Sequence, residues 1–248
     1  MPDRGDSLRY GPEVSALELP QIEPYAPWLM FQKMLCLYYP MIKLLFWNIR
    51  GVARPPNLKR LKKLTKLHSI QLVVVVEPKT SVQNFTDIRM KLGMEWGMTN
   101  QEGTVWLFYR SMFTRACIGE STQHLTVQIP SHLFPSPIIL LGIHTKCTAQ
   151  EREVLWGDLL RDKPVSAPWC MVGVFNVITS EREKMGGLPF RTFEGLNFLQ
   201  FMAEAGVVDA GFSGSKFIWC NNRSGVAQIW KRLDRLLVSG AALELRHQ

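Results

Sequence analysis

Ile70-Gln71-Leu72-Val73-Val74-Val75-Val76 runs almost without a polar side chain and then delivers Glu77-Pro78. So dense a run of branched residues reads as a strand covered on both faces, because a strand with one wet face alternates apolar and polar positions. A chain holding such a strand needs material on both sides of its sheet. That restricts it to layered architectures in which helices or a second sheet cover each face.

The rest of the chain supplies those layers. Ile42-Lys43-Leu44-Leu45-Phe46 forms a strand that leads into the polar turn Asn48-Ile49-Arg50-Gly51. Pro55 and Pro56 precede Asn57, a good helix N-cap, and Leu58, Leu61, Leu64 and Leu67 then recur every three residues on one face. Val105–Tyr109, Ile138–Ile143 and Trp169–Val174 read as further strands. Thr148–Leu160 and Phe193–Ala205 read as helices, the second with Thr192 as N-cap and Gly206 as its stop. Lys216–Cys220 and Ala227–Val238 read as a hairpin around Asn221-Asn222-Arg223-Ser224-Gly225. Strands broken by helices, closed by a hairpin, give an α/β two-layer sandwich of mixed sheets. Residues 1–40, with Pro2, Pro12, Pro20, Pro24, Pro27 and Pro40 and no sustained period, read as a poorly ordered extension. The domain is expected over 41–248.

Composition excludes several classes. The 248 residues are 46% hydrophobic, enough for one large core. A net charge of +8 and pI near 9.4 suit a polyanionic partner. Lys33, Pro40 and Lys43 interrupt the apolar stretch from Trp28 to Trp47, so no membrane span is expected. Asp3, Asp6, Glu13 and Glu18 exclude a secretory leader pattern. Cys36, Cys117, Cys147, Cys170 and Cys220 form no Cys-x-x-Cys pair, and His144 with Cys147 lacks a second ligand pair. Free thiols in a reducing compartment and no zinc are expected. Oligomeric state is left open.

Asn48, Glu77, His144 and Asn176 each fall at or just past the end of an expected strand. Any one alone reads as a polar residue satisfying a turn. Four together suit the rule that reactive groups of α/β folds gather where strands end. Glu77 is the metal candidate, since a hard cation takes one or two carboxylates and leaves room for substrate phosphate. Its alternative is a strand-end Glu paired with Lys79.

Four segments carry a resemblance. They are Leu45-Phe46-Trp47-Asn48-Ile49-Arg50-Gly51, Val76-Glu77-Pro78-Lys79, Val172-Gly173-Val174-Phe175-Asn176-Val177-Ile178 and Lys231-Arg232-Leu233-Asp234-Arg235. In order and spacing they resemble the endonuclease/exonuclease/phosphatase family. Glu183-Lys184-Met185-Gly186-Gly187, Phe212-Ser213-Gly214, Trp219-Cys220-Asn221-Asn222 and Ile229-Trp230-Lys231-Arg232 resemble the endonuclease domain of plant LINE-type non-LTR retrotransposons.

The resemblance covers about 41–240. It implies a DNase I-like two-layer β-sandwich flanked by helices (α/β/β/α) and Mg²⁺- or Mn²⁺-dependent cleavage of DNA. By it, Glu77 and Asn48 match the metal site, Asn176 and His144 the phosphate contacts, and Asp234 the residue that orients a catalytic His. Trp219 and Asn222 lie on a hairpin turned toward DNA, with Arg232 also on the DNA side. A working copy would be nuclear.

Two departures stand out. Val174 occupies the position of the motif's Asp and can neither ligate a metal nor accept a proton. The family's last strand carries Ser-Asp-His, whereas here only Leu245-Arg246-His247-Gln248 remains, too early and of the wrong pattern. The expectation is a degenerate, C-terminally truncated copy that misses its last strand and leaves Asp234 without an imidazole.

Arg50, Arg54, Lys59, Arg60, Lys62, Lys63 and Lys66 form the densest cationic stretch. It reads either as phosphate contact or as the solvated face of an amphipathic helix. Trp47, Trp106, Trp156 and Trp169 read as core. A DNA-binding remnant without chemistry and a phosphatase of the same fold are the alternatives.

Overall fold

The structure, a computed structural model, describes residues 32–38, 42–113, 116–129, 136–212 and 214–244. Its strands are β1 (Gln32–Tyr38), β2 (Ile42–Asn48), β3 (Leu72–Val76), β4 (Trp96–Thr99), β5 (Val105–Tyr109), β6 (Ala116–Glu120) and β7 (His124–Ile129). They continue with β8 (Ile138–His144), β9 (Trp169–Val174), β10 (Lys184–Met185), β11 (Val207–Asp209), β12 (Trp219–Cys220), β13 (Trp230–Lys231) and β14 (Asp234–Ser239). The helices are α1 (Pro55–Leu67), α2 (Phe85–Leu92), α3 (Ala149–Arg161), α4 (Phe193–Ala205) and the short α5 (Gly240–Glu244).

One sheet runs β1-β2-β3-β5-β4 and the other β11-β14-β9-β8-β7-β6. Each is antiparallel except for one parallel pair, β2/β3 and β8/β9. The valine run of β3 shows how the layers form. Leu72, Val74 and Val76 enter a core between the sheets with Leu140, Val172 and Leu236, while Val73 and Val75 face a second core on the outer side. That outer core is closed by Leu61 and Leu64 of α1 and Ile88 and Leu92 of α2. On the far side, Leu155, Trp156, Phe198 and Phe201 of α3 and α4 cover Leu141, Met171 and Leu237. The result is the α/β/β/α sandwich of DNase I-like folds. Trp47, Trp106, Trp156 and Trp169 are all buried within it. Each fully buried Val or Leu stabilises by about 1.5–3 kcal/mol, so the three apolar cores supply the fold's stability.

Three local readings are corrected. Asn57 does not cap α1: the helix starts at Pro55, and the Asn57 amide instead donates to the carbonyls of Ile49 (3.1 Å) and Gly51 (2.8 Å). Leu67 is exposed, because the helix ends there and Thr65 takes the buried position. The hairpin read as two long strands is the small sheet β10-β13-β12, and its second arm breaks at Arg232-Leu233, where the Leu233 carbonyl accepts from Phe175 N–H (2.9 Å).

Within the apolar stretch before Trp47, residues 32–38 form β1, which lies antiparallel along β2, with Gln32 opposite Trp47 and Leu35 opposite Leu44. Residues 32–38 of the expected extension therefore belong to the sheet. Their proline-flanked setting had hidden the strand. The side of β2 away from β3 is thus occupied by β1. The remainder of the expected extension, 1–31 and 39–40, and the segment 245–248 with His247 lie outside the described residues. Among the described residues no helix is long and apolar enough to cross a membrane.

Two deletions separate the parts of that N-terminal stretch. Removing 1–31 should leave the melting midpoint nearly unchanged. Removing 1–40 should cost on the order of 3 kcal/mol, since several ladder hydrogen bonds worth about 1 kcal/mol each are lost. Indistinguishable melting curves for the two deletions would show that β1 is not part of the stable sheet.

Candidate functional site

Both parallel pairs end at the same edge of the sandwich. There a cleft of about 280 Å³ is lined by Asn48, Arg50, Glu77, His144, Val174, Asn176, Trp219 and Asp234, together with Cys147, Ile218 and Leu233. The four strand-end residues singled out from sequence therefore converge, and Asp234 joins them at the start of β14.

The loops that carry them are stapled by backbone bonds. Gly51 N–H donates to the Glu77 carbonyl (2.9 Å), Val52 N–H to the Pro78 carbonyl (2.8 Å) and Glu77 N–H to the Thr104 carbonyl (3.1 Å). On the second sheet, Thr145 N–H donates to the Val174 carbonyl (3.0 Å) and His144 N–H to the Gln123 carbonyl (2.8 Å). Arg50, Glu77, Lys79 and Asn176 all hold left-handed backbone, with φ of 45°, 50°, 44° and 49°. Such conformations cost on the order of 1–3 kcal/mol each and persist where the surroundings impose them. The Asn176 side chain is fixed by donating to the Thr145 carbonyl (2.7 Å). Gly173 is required: a Cβ there would lie 2.0 Å from the Ile143 carbonyl oxygen.

Charges in the cleft are organised around Glu77. Its carboxylate lies 3.0 Å from Lys79 Nζ, 3.8 Å from Arg50 Nε and 3.8 Å from His144 Nε2. Burial works to raise its pKa, but the hydrogen bond from Lys79 and the charges of His144, Lys79 and Arg50 outweigh it and hold the group below its ordinary value. Burial pushes His144 below its ordinary value against the pull of Glu77. Pairing with Lys79, the structural alternative for Glu77, and a position in the cleft are thus both realised. Asn48 is buried and its Oδ1 has no hydrogen-bond partner. An orphaned amide oxygen beside a carboxylate fits a hard divalent cation, which takes oxygen donors. Among the described residues no three His, Cys, Asp or Glu side chains form a metal-holding group.

Val174 sits in the middle of one cross-strand row, opposite His144 on β8 and opposite Asp234 on β14. It is 3% exposed and belongs to the core between the sheets. The residue between the two polar neighbours therefore offers only methyl groups.

Of the expected DNA contacts, Arg50 and Trp219 line the cleft, with Lys231 Nζ 6.0 Å from the Trp219 ring. Lys59, Lys62 and Lys63 are exposed on α1, whose first turn is tied to the cleft rim through Asn57. Asn222 is exposed on the hairpin loop with φ of 56°, outside the cleft lining.

Arg232 is a correction. It is 6% exposed and points inward, donating to Glu183 Oε1 (2.8 Å) and to Asp209 (2.7 and 2.8 Å). Arg235 reaches the same carboxylates. Strict strand alternation would put Arg232 and Arg235 on opposite faces, and the break at Arg232-Leu233 between β13 and β14 brings them together. Nothing in the spacing named Glu183 and Asp209.

Several solved structures share this architecture. The endonuclease domain of TRAS1, a telomere-specific non-LTR retrotransposon, aligns over 82% of this chain and 87% of its own, at 10% identity and a TM-score of 0.60. The AP endonuclease LMAP from Leishmania major covers 81% and 79%, at 14% identity and a TM-score of 0.61. TDP2 from C. elegans covers 79% of this chain and 64% of its own, at 18% identity and a TM-score of 0.51, so the chain spans under two thirds of that structure. At these identities the likeness establishes the DNase I-like fold. No family model and no curated protein sequence matches the chain.

Acid should destabilise the fold through Glu183. Burial works to raise its pKa, and the hydrogen bonds and charge of Arg235, with Thr179 N–H and Arg232, overcome this and depress it. A depressed carboxylate contributes stability that is present above its unfolded-state pKa and is lost as pH falls through the folded one. Glu183→Gln should therefore flatten the acid limb of the stability–pH curve. Parallel limbs for wild type and variant would exclude this linkage.

Proposed function

We propose that the chain is a DNA phosphodiesterase of the endonuclease type, descended from a LINE-type retrotransposon endonuclease, whose hydrolytic step is impaired by Val174. The observation that carries the reading is the convergence of Asn48, Glu77, His144, Asn176 and Asp234 from two sheets in one cleft. Arg50, Lys79 and Lys146 add cationic charge around it, as a phosphate needs. Glu77 and Asn48 are the residues that would hold Mg²⁺ or Mn²⁺. Such an ion, when bound, supplies Lewis-acid polarisation of a phosphoryl oxygen. Asn176, held by Thr145, and His144 are placed to contact the scissile phosphate. Asp234 orients groups from the β14 side.

What the row lacks is a proton acceptor at position 174. Losing a general base costs about 10²- to 10⁴-fold. The wild-type chain should therefore nick supercoiled plasmid in Mg²⁺ slowly. Val174→Asp, once confirmed to be folded by its melting curve, should nick at least about tenfold faster. Glu77→Ala should abolish nicking in both backgrounds. Unchanged nicking in the folded Val174→Asp variant would show that position 174 is not the lesion.

A second reading, binding without hydrolysis, is favoured by α1. No acid occurs from Arg50 to Val76, and Lys59, Lys62 and Lys63 are exposed. Duplex affinity should fall with salt, each phosphate contact contributing about −0.9 to the slope of log K against log salt. Replacing the three lysines by Glu should flatten that slope without unfolding the chain, because Leu61 and Leu64 carry the packing face. An unchanged slope would make α1 an ordinary solvated helix and leave binding to the cleft.

A further inference from the structure

The four charges behind the cleft, buried Glu183, Arg232 and Arg235 with partly exposed Asp209, are placed to do more than hold the fold together. Glu183 accepts from Arg232, from Arg235, from Thr179 N–H (2.7 Å) and from Thr179 Oγ1 (3.0 Å). Asp209 accepts from both arginines. Arg235 also donates to the Val177 carbonyl (3.2 Å), one residue after Asn176. Asp234 lies in sequence between the two arginines, and the segment that follows Asn176 ends at Glu183. The group therefore grips both polar walls of the cleft from behind.

It also holds the small sheet. Glu183 directly precedes β10, Arg232 directly follows β13, and Arg232 N–H donates to the Glu183 carbonyl (3.0 Å). The strands β10, β12 and β13 contain two residues each, too few to be stable alone. Trp219, which lines the cleft, stands on the strand of that sheet farthest from Glu183.

Buried ion pairs add little net stability against an apolar packing of similar volume, because desolvation offsets the attraction. They do penalise any arrangement that leaves one charge unpaired. Here the apolar cores hold the sandwich, and the charges choose where its rim sits.

We propose that Glu183 and Asp209, acting through Arg232 and Arg235, are positioning residues: they fix Asn176, Asp234 and the Trp219-bearing sheet around the cleft without touching the ligand. The inference rests on the nucleic-acid reading of the cleft only for the second of its two readouts.

The test compares wild type with Glu183→Gln and with the milder Asp209→Asn, whose site is less buried. Amide hydrogen exchange should quicken about tenfold or more in 176–183 and 216–231, while β3 and β8 keep wild-type rates. Affinity for a short duplex, measured in a chelator, should fall at least about threefold, in step with the exchange. An Arg232→Lys variant, which keeps the charge but not the fork, should fall between. Uniform acceleration that includes β3 and β8 would make the four charges a general stabiliser and overturn the proposal. So would unchanged exchange in 216–231. Should the wild type bind no duplex, the functional reading fails, while the exchange data still decide the positioning role.

Discussion

The structure depends on the apolar contact between its two sheets. Leu72, Val74 and Val76 from one sheet meet Leu140, Val172 and Leu236 from the other, and the middle of this face is apolar. Polar groups are therefore displaced to the strand ends. Because each sheet holds one parallel pair, and both pairs run toward the same edge, four such ends arrive together. The cleft follows from that topology, and its residues are spaced by the sandwich. Left-handed backbone at Arg50, Glu77, Lys79 and Asn176 is the local cost of turning each chain sharply out of its strand.

Within that frame Val174 has a double character. As a member of the core between the sheets it is a well-placed hydrophobe, in register with its neighbours and fully covered. As the residue between His144 and Asp234 it leaves an apolar gap in an otherwise polar row. A valine at this position fits the core between the sheets, so the fold accommodates an apolar residue where the proposed chemistry would call for a proton acceptor.

Much of this was legible in the sequence, for reasons that differ by residue. The β3 run declared itself because burial on both faces removes alternation. Glu77 and Asn176 were legible as polar residues terminating such runs, and the apolar run before Asn176 placed Val174 at the end of its strand. What stayed hidden depended on contacts distant in sequence. The strand β1 sits among prolines, and its partner β2 decides its state. Arg232 looked like a basic surface residue, since its partners Glu183 and Asp209 lie far off in the chain. Leu67 failed the helical spacing because a helix end, unlike a helix middle, need not face the core.

The central claim is that Glu77 and Asn48 form a cation-binding point in a phosphate cleft. Substoichiometric Mn²⁺ added to the amide-labelled protein tests it directly, since the paramagnetic ion broadens nearby signals. The account predicts selective loss of resonances at 48–50, 77–79, 144–146 and 174–176, relieved by Glu77→Gln. Broadening centred elsewhere, or undiminished in that variant, would contradict it.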